Sequence, residues 1–448
     1  MYAALLRHTM IPAWYAYDGY PRVLKQLQLA NAASRSSRAE IEATQKRSLH
    51  KLLTNAVAKV PFYKDLQVDA DDPHSSLTTF PIMSKPKITE RLEELRLIAG
   101  DTPVSSATTG GSTGIPLTFY RTNHCVEERK AQELHFDLQL GFKLGEPVAI
   151  FVAPSHFDGL LASWKAKIRN ATNERAIRFD PYSITPEYVE FFAKQLRAHQ
   201  PTLVRCFPNA LMPFIEIAKE QGAELPAVEA VTCTGENLYP HQIEEMQQAL
   251  QCQVYEKYAT KECGVIASEC PAHSGLHIFE PGLVVELLQL ESDEPTAPGE
   301  LGRIVVTDLH NYGTAMIRYE IGDLGIMVAD QESCECGSMF KRFKRVLGRD
   351  RDLIRDAQGL PKPGYLFVEA LTKSPLSGLQ MQIEQVAKDR LELRVCADQT
   401  TVPEHHVQEV TRSIESLATG LNLTVTFVDD IPRDPSGKYR YVIGLQRP

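Results

Sequence analysis

The stretch Ser105-Ser-Ala-Thr-Thr109-Gly110-Gly111-Ser112-Thr113-Gly114-Ile115-Pro116 decides how this chain is read. Its glycines, clustered hydroxyls and closing proline suit neither a stable helix nor a central strand. Glycine lets another group approach the backbone closely, and Ser and Thr add hydroxyl donors. Backbone N–H groups in such a loop can converge on an anion, so the loop is either a phosphate cradle or a flexible surface linker. It is not a Walker loop, because Ile115-Pro116 rather than Lys-Ser/Thr follows Gly114.

Working outward, strand-like and helix-like runs alternate beyond the loop. Val148–Val152, Leu203–Cys206, Ala230–Cys233 and Val254–Tyr255 read as buried strands. Tyr188–His199, Met212–Gln221 and His241–Leu250 read as helices between them. That alternation predicts an α/β layered core with parallel strands. From Gly282 to Val328 β-type runs dominate, at Val284–Leu290, Arg303–Thr307 and Leu324–Val328. Upstream of the loop, residues 38–60 have helical spacing, ended by Pro61-Phe62-Tyr63, and Ser84 is placed to cap a further helix.

The C-terminal stretch carries its own signals, with strands at Met381–Val386, Leu391–Val395 and Leu423–Val428 and a helix at Val407–Leu417. The expected architecture is therefore α/β. A large N-terminal domain (1–348) of layered sheets and helices with a β-rich section precedes a small mobile α+β C-terminal domain (349–448).

Composition bounds the function. The chain has 448 residues, 43% hydrophobic and 23% charged, with a net charge of −9. The acidic balance argues against general nucleic-acid binding. Arg7, His8 and Asp18 interrupt the N-terminal region, so neither a signal peptide nor a membrane span is expected. Nine scattered cysteines suit reduced thiols, and the expected location is the cytoplasm.

Further motifs follow the loop in order. They are Cys233-Thr234-Gly235-Glu236-Asn237, Tyr258-Ala259-Thr260-Lys261-Glu262, Arg318-Tyr319-Glu320-Ile321-Gly322-Asp323, Leu347-Gly348-Arg349-Asp350-Arg351-Asp352 and Pro435-Ser436-Gly437-Lys438. The series resembles the adenylate-forming enzymes: acyl-CoA synthetases, firefly-type luciferases and peptide-synthetase adenylation domains. Within them it is most similar to the phenylacetate–CoA ligase family and its capsule-locus relatives, from about residue 40 to the end.

The resemblance implies an ATP- and Mg²⁺-dependent ligase. A carboxylate attacks the α-phosphate, pyrophosphate leaves, and the acyl-adenylate passes its acyl group to coenzyme A. Thr109, Gly110, Gly111, Ser112, Thr113 and Gly114 then hold the β- and γ-phosphates, and Gly235, Glu236 and Asn237 line the adenine pocket. Tyr258 stacks on the adenine, and Asp323 accepts from the ribose hydroxyls. Glu262 is the Mg²⁺-associated carboxylate, Arg349 contacts the ribose and phosphates, and Lys438 is the catalytic lysine.

Arg351 matches the hinge about which the small domain turns. The run Phe151–Asp158 matches the acyl pocket wall, with His156 or Phe157 bordering an aromatic or largely apolar acid. Lys341–Arg345 is either an attractor for coenzyme A phosphates or a solvated strand face. An acyl carrier protein or an amine is the alternative acceptor and a silent nucleotide-binding protein the third reading; the sequence does not fix the oligomeric state, and a homodimer is common in the branch it resembles.

Two positions depart from the family pattern. Lys261 replaces a phosphate-contacting hydroxyl, and Leu117 stands where many members carry lysine. Finally, Cys270-Pro-Ala-His273 and Cys334-Glu-Cys336 make two short ligand pairs. Together they suit a closed structural Zn²⁺ site, with His277 as a rival to His273, and related ligases carry comparable cysteine clusters here.

Overall fold

The computed structural model describes residues 2–97, 104–109, 116–152, 163–181, 184–329, 333–432 and 439–445. Its main feature is an 11-stranded mixed sheet. One half holds Ala176–Phe179, Val148–Phe151, Leu203–Cys206, Ala230–Thr234 and Gln253–Thr260, each parallel to its neighbour. Helices Pro186–His199, Pro208–Glu220 and Pro240–Leu250 connect these strands. Each starts on a proline, whose missing N–H costs nothing at a helix start. Thr185 adds an N-cap by accepting from the Tyr188 N–H.

These helices and strands bury an aromatic cluster of Phe151, Phe179, Phe192 and Phe214. Its Phe151–Phe179 and Phe179–Phe214 centroids lie 5.0 and 5.1 Å apart. Asp137 on the helix Asn123–Gln139 accepts from Lys257 Nζ (2.5 Å) and Arg205 Nη2 (2.6 Å), tying that helix to two strands through a buried ion triad.

Beyond Gln253–Thr260 the sheet turns antiparallel, through Gly264–Glu269, Leu276–Ile278, Arg342–Arg349, Tyr319–Met327, Leu301–Asp308 and Leu283–Leu288. The β-dominated region read between Gly282 and Val328 is this half. The helix Arg38–Lys59 covers it, started by a reciprocal Ser37–Glu40 capping box. Ser84 does occupy the N-cap of Lys85–Glu90 but makes no side-chain capping bond.

The strand Arg342–Arg349 ends the large sheet, and a separate hydrophobic core then begins at Ile354. That core lies between helices Gly364–Thr372 and Glu404–Leu417 and a four-stranded sheet ordered Asn422–Val428, Arg390–Cys396, Met381–Ala387, Val442–Ile443. The fold is thus a large α/β domain with an extensive mixed sheet plus a smaller α+β domain. Among the described residues, no helix is long and apolar enough to cross a membrane.

Candidate functional site

Val104–Thr108 and Thr118–Thr122 pair antiparallel on either side of the glycine loop in sequence. Thr109 and Leu117 extend that pairing. The Thr109 N–H donates to Leu117 O (2.9 Å), and its Oγ1 accepts from Leu117 N (3.1 Å). Leu117 is fully buried in the core, so an apolar side chain at this position anchors the strand pair where a lysine would not. Gly110, Gly111, Ser112, Thr113 and Gly114 lie outside the described residues, as do Lys438, His156 and Phe157.

The antiparallel half of the large sheet and its turns bring together four of the predicted side chains. Asp323 and Arg349 are register partners, with Arg349 Nε 3.1 Å from Asp323 Oδ1. Tyr258 Oη donates to Asp323 Oδ2 (2.8 Å), so the carboxylate is held from both sides. The Asp323 charge raises the Arg349 pKa above its ordinary value. Desolvation, with Asp323 beside it, holds the Tyr258 phenol well above its usual range. The partly exposed Tyr258 ring packs edge-on against Phe343.

Glu262 is buried, and among the described residues its carboxylate receives one long hydrogen bond, from Tyr319 Oη at 3.3 Å. A carboxylate so sparsely satisfied in a buried setting has lone pairs free for a hard cation, so the position suits Mg²⁺. Arg129 fixes the adjoining backbone by donating to the Lys261 and Glu262 carbonyls and to Asp308.

Gly235, at φ +78°, follows the carboxyl end of the parallel strand Ala230–Thr234, the end at which open α/β sheets bind ligands. A Cβ there would come within 2.8 Å of Phe207 Cε1. Glu236 Oε2 accepts from Asn209 N (3.0 Å), and Asn237 lies against Gly348, where a Cβ would meet its Nδ2 at 2.9 Å. The 235–237 turn thereby abuts the strand that carries Arg349.

Lys261 Nζ lies 3.5 Å from Thr108 O, where the strand Val104–Thr108 ends before the glycine loop. Lys85 was not singled out from the sequence. Burial lowers its pKa, while Glu262 opposes and Arg349 reinforces that shift. Its ammonium is therefore within electrostatic reach of two site residues. The run Lys341–Arg345 divides, because Arg342 is buried and bonds Ser274 whereas Lys344 is exposed.

The predicted metal ligands assemble with one exchange. Cys270, Cys334, Cys336 and His277 present ligand atoms that all lie within 4.8 Å of one another. Cys270 Sγ is 3.6 Å from Cys334 Sγ, and Cys336 Sγ is 3.3 Å from His277 Nε2. His273 is not among them, and the expected rival His277 is. The turn closed by His273 N to Cys270 O puts His273 at φ +47°, and its ring stacks on Tyr255 at 4.8 Å and 4°. His277 instead sits on Leu276–Ile278, paired with Arg342, which brings its ring to the 334–336 turn.

A C-terminal domain family described as the CapK C-terminal domain matches residues 368–444. A phenylacetate-coenzyme A ligase of Thermus thermophilus is 26% identical over 41% of this chain and 45% of its own length, less than half of that relative. Protein CapK of Staphylococcus aureus is 20% identical over 75% of this chain and 73% of its own. A 2-hydroxyisobutyryl-CoA ligase in the postadenylation state superposes with a TM-score of 0.72 at 18% identity, covering 92% of this chain and 91% of that one. ATP-bound MatB from Rhodopseudomonas palustris superposes at 0.52 and 16% identity, over 76% and 67%. The chain has the fold of the adenylate-forming ligases and is related to phenylacetate–CoA ligase and CapK sequences.

Proposed function

We propose that this chain activates an organic carboxylic acid with ATP and Mg²⁺, forming an acyl-adenylate and then a thioester with coenzyme A. The observation that carries this reading is the clustering of Asp323, Arg349 and Tyr258, with Glu262 in electrostatic reach of Arg349. In this reading Asp323 accepts from the ribose hydroxyls, and the glycine loop cradles the distal phosphates. Glu262 would hold Mg²⁺, which when bound would supply positive charge beside the phosphates. Arg349 orients the ribose end, and Lys261 adds a cation at the base of the loop.

Lys438 is assigned to the carboxylate and α-phosphate. The placement of the chain just after it supports this assignment. Tyr441 packs edge-on against Tyr239, close to Asn237, with centroids 5.5 Å apart. Arg440 pairs with Asp352, and Gly444 N donates to Arg351 O, so the same segment is anchored at the proposed hinge.

Cys270, His277, Cys334 and Cys336 are assigned to a structural Zn²⁺. Tetrahedral ligands at usual Zn–S lengths lie about 3.8 Å apart, near the sulfur spacing found here. Four protein ligands leave no open position, so this ion would staple the 270–277 and 334–336 segments and take no part in the chemistry.

The acceptor is tested by supplying acid, Mg²⁺-ATP and coenzyme A and reading the products by mass spectrometry. Acyl-CoA is expected. Acyl-AMP without acyl-CoA would move the acceptor to a carrier protein or an amine.

A further inference from the structure

His124, Glu128 and His310, none of them among the proposed nucleotide-binding residues, present ligand atoms within 4.8 Å of one another. His124 and Glu128 are one helical turn apart on Asn123–Gln139, which sets them on the same face. His124 Nε2 lies 3.8 Å from Glu128 Oε1. His310 comes from the loop after Leu301–Asp308. Its ring meets that of His124 edge-on, with centroids 5.6 Å apart.

The loop is held firmly. Asp308 Oδ1 accepts from the N–H groups of His310 (2.9 Å) and Asn311 (3.1 Å), and Oδ2 is paired with Arg129. The His310 Nε2–H donates to Pro281 O at 3.1 Å, which leaves Nδ1 as the free lone pair. Backing one imidazole nitrogen with a carbonyl is the usual support for a metal-binding histidine. Among the described residues, His124 Nδ1 is buried and has no hydrogen-bond partner, so the ring is not committed to another protein group on that side.

We propose that His124, Glu128 and His310 form a binding site for a divalent transition-metal ion of the zinc class. Two imidazoles and one carboxylate are borderline donors that favour such ions over Mg²⁺ or Ca²⁺. Tetrahedral ligation at usual Zn–N and Zn–O lengths needs ligand atoms about 3.4 Å apart, so only a small side-chain adjustment closes the triad. Three protein ligands leave the coordination sphere open. His124 and His310 both line a cavity of about 600 Å³ whose wall also carries Lys51 and Lys59, so the remaining position takes water or an anionic group.

Cobalt titration of the full-length chain separates this site from the cysteine cluster. Thiolate ligands give an intense near-ultraviolet charge-transfer band, whereas imidazole and carboxylate ligands give visible d–d bands alone. The expected result is one equivalent of Co²⁺ lost on equilibrium dialysis of His310→Ala while the thiolate charge-transfer band is unchanged, and the converse in Cys336→Ser, which loses intensity in that band and keeps the His310-dependent equivalent. Glu128→Gln, which keeps the side-chain volume, should lose the same equivalent and serves if His310→Ala does not fold. Undiminished Co²⁺ binding in folded His310→Ala or Glu128→Gln, or no binding beyond the thiolate equivalent in the wild-type chain, would overturn the proposal.

Discussion

Asp323 and Arg349 face each other across two antiparallel strands, with Nε 3.1 Å from Oδ1, and Tyr258 closes the other side of the same carboxylate. The carboxylate is thus oriented before any nucleotide arrives, which reduces the ordering cost of binding. Gly322 and Gly348, both at φ above +80°, precede Asp323 and Arg349 and set the local turn of each strand.

Asp323→Asn keeps the shape and removes the charge. Losing charge-assisted bonds worth about 1.5–3 kcal/mol should weaken ATP binding roughly 10- to 150-fold by calorimetry. Unchanged affinity would contradict the ribose assignment.

The proposed assignment puts the Lys438 ammonium where charge develops in the transition state, so Lys438→Ala should reduce pyrophosphate release to background while ATP binding persists. Full activity in this variant would remove the lysine from the mechanism.

Asp137 is fully buried between Lys257 and Arg205. Asp137→Ala leaves cations without their partner and should cost about 3–5 kcal/mol in urea unfolding. A cost below about 1 kcal/mol would mean the triad contributes little to holding the helix Asn123–Gln139.

Burial and the neighbouring Glu269 push the Glu256 carboxyl up to about 7 from 4.5. Between those values the folded chain binds more protons than the unfolded one. Its contribution is therefore complete below about pH 4.5 and is lost as pH rises through about 7. Stability should fall across that window by up to about 2 kcal/mol, and Glu256→Gln should flatten the slope. A Glu256→Gln chain with an unchanged pH profile would refute the assignment.

The cysteine cluster offers a sharper discrimination. His277→Ala should lose thiolate-bound zinc by elemental analysis, whereas His273→Ala should retain it. The opposite pattern would restore the Cys-x-x-His pairing.

Short apolar runs such as Leu203–Cys206 and Ala230–Thr234 were legible because a fully buried strand bounded by turn residues has few alternatives. The helix Arg38–Lys59 was legible for its periodic leucines. Order within the sheet was not, since pairing Arg342 with His277 joins segments whose local patterns carry no sign of each other. The same limit explains the site. Cys270-x-x-His273 has suitable spacing, but spacing does not say where a ring points after a positive-φ turn. Lys85, Glu262 and Arg349 meet only through tertiary packing, so Lys85 carried no local signal. The i, i+4 spacing of His124 and Glu128 was visible, but the third member, His310, arrives from a distant loop.

Acid-dependent pyrophosphate release tests the central claim most directly, measured across aryl, fatty and amino acids with Mg²⁺-ATP, with and without coenzyme A. Release that requires one acid class and accelerates with coenzyme A is the predicted result. ATP binding without release for any acid would contradict adenylation and leave a nucleotide-binding protein that performs no acyl chemistry on these substrates.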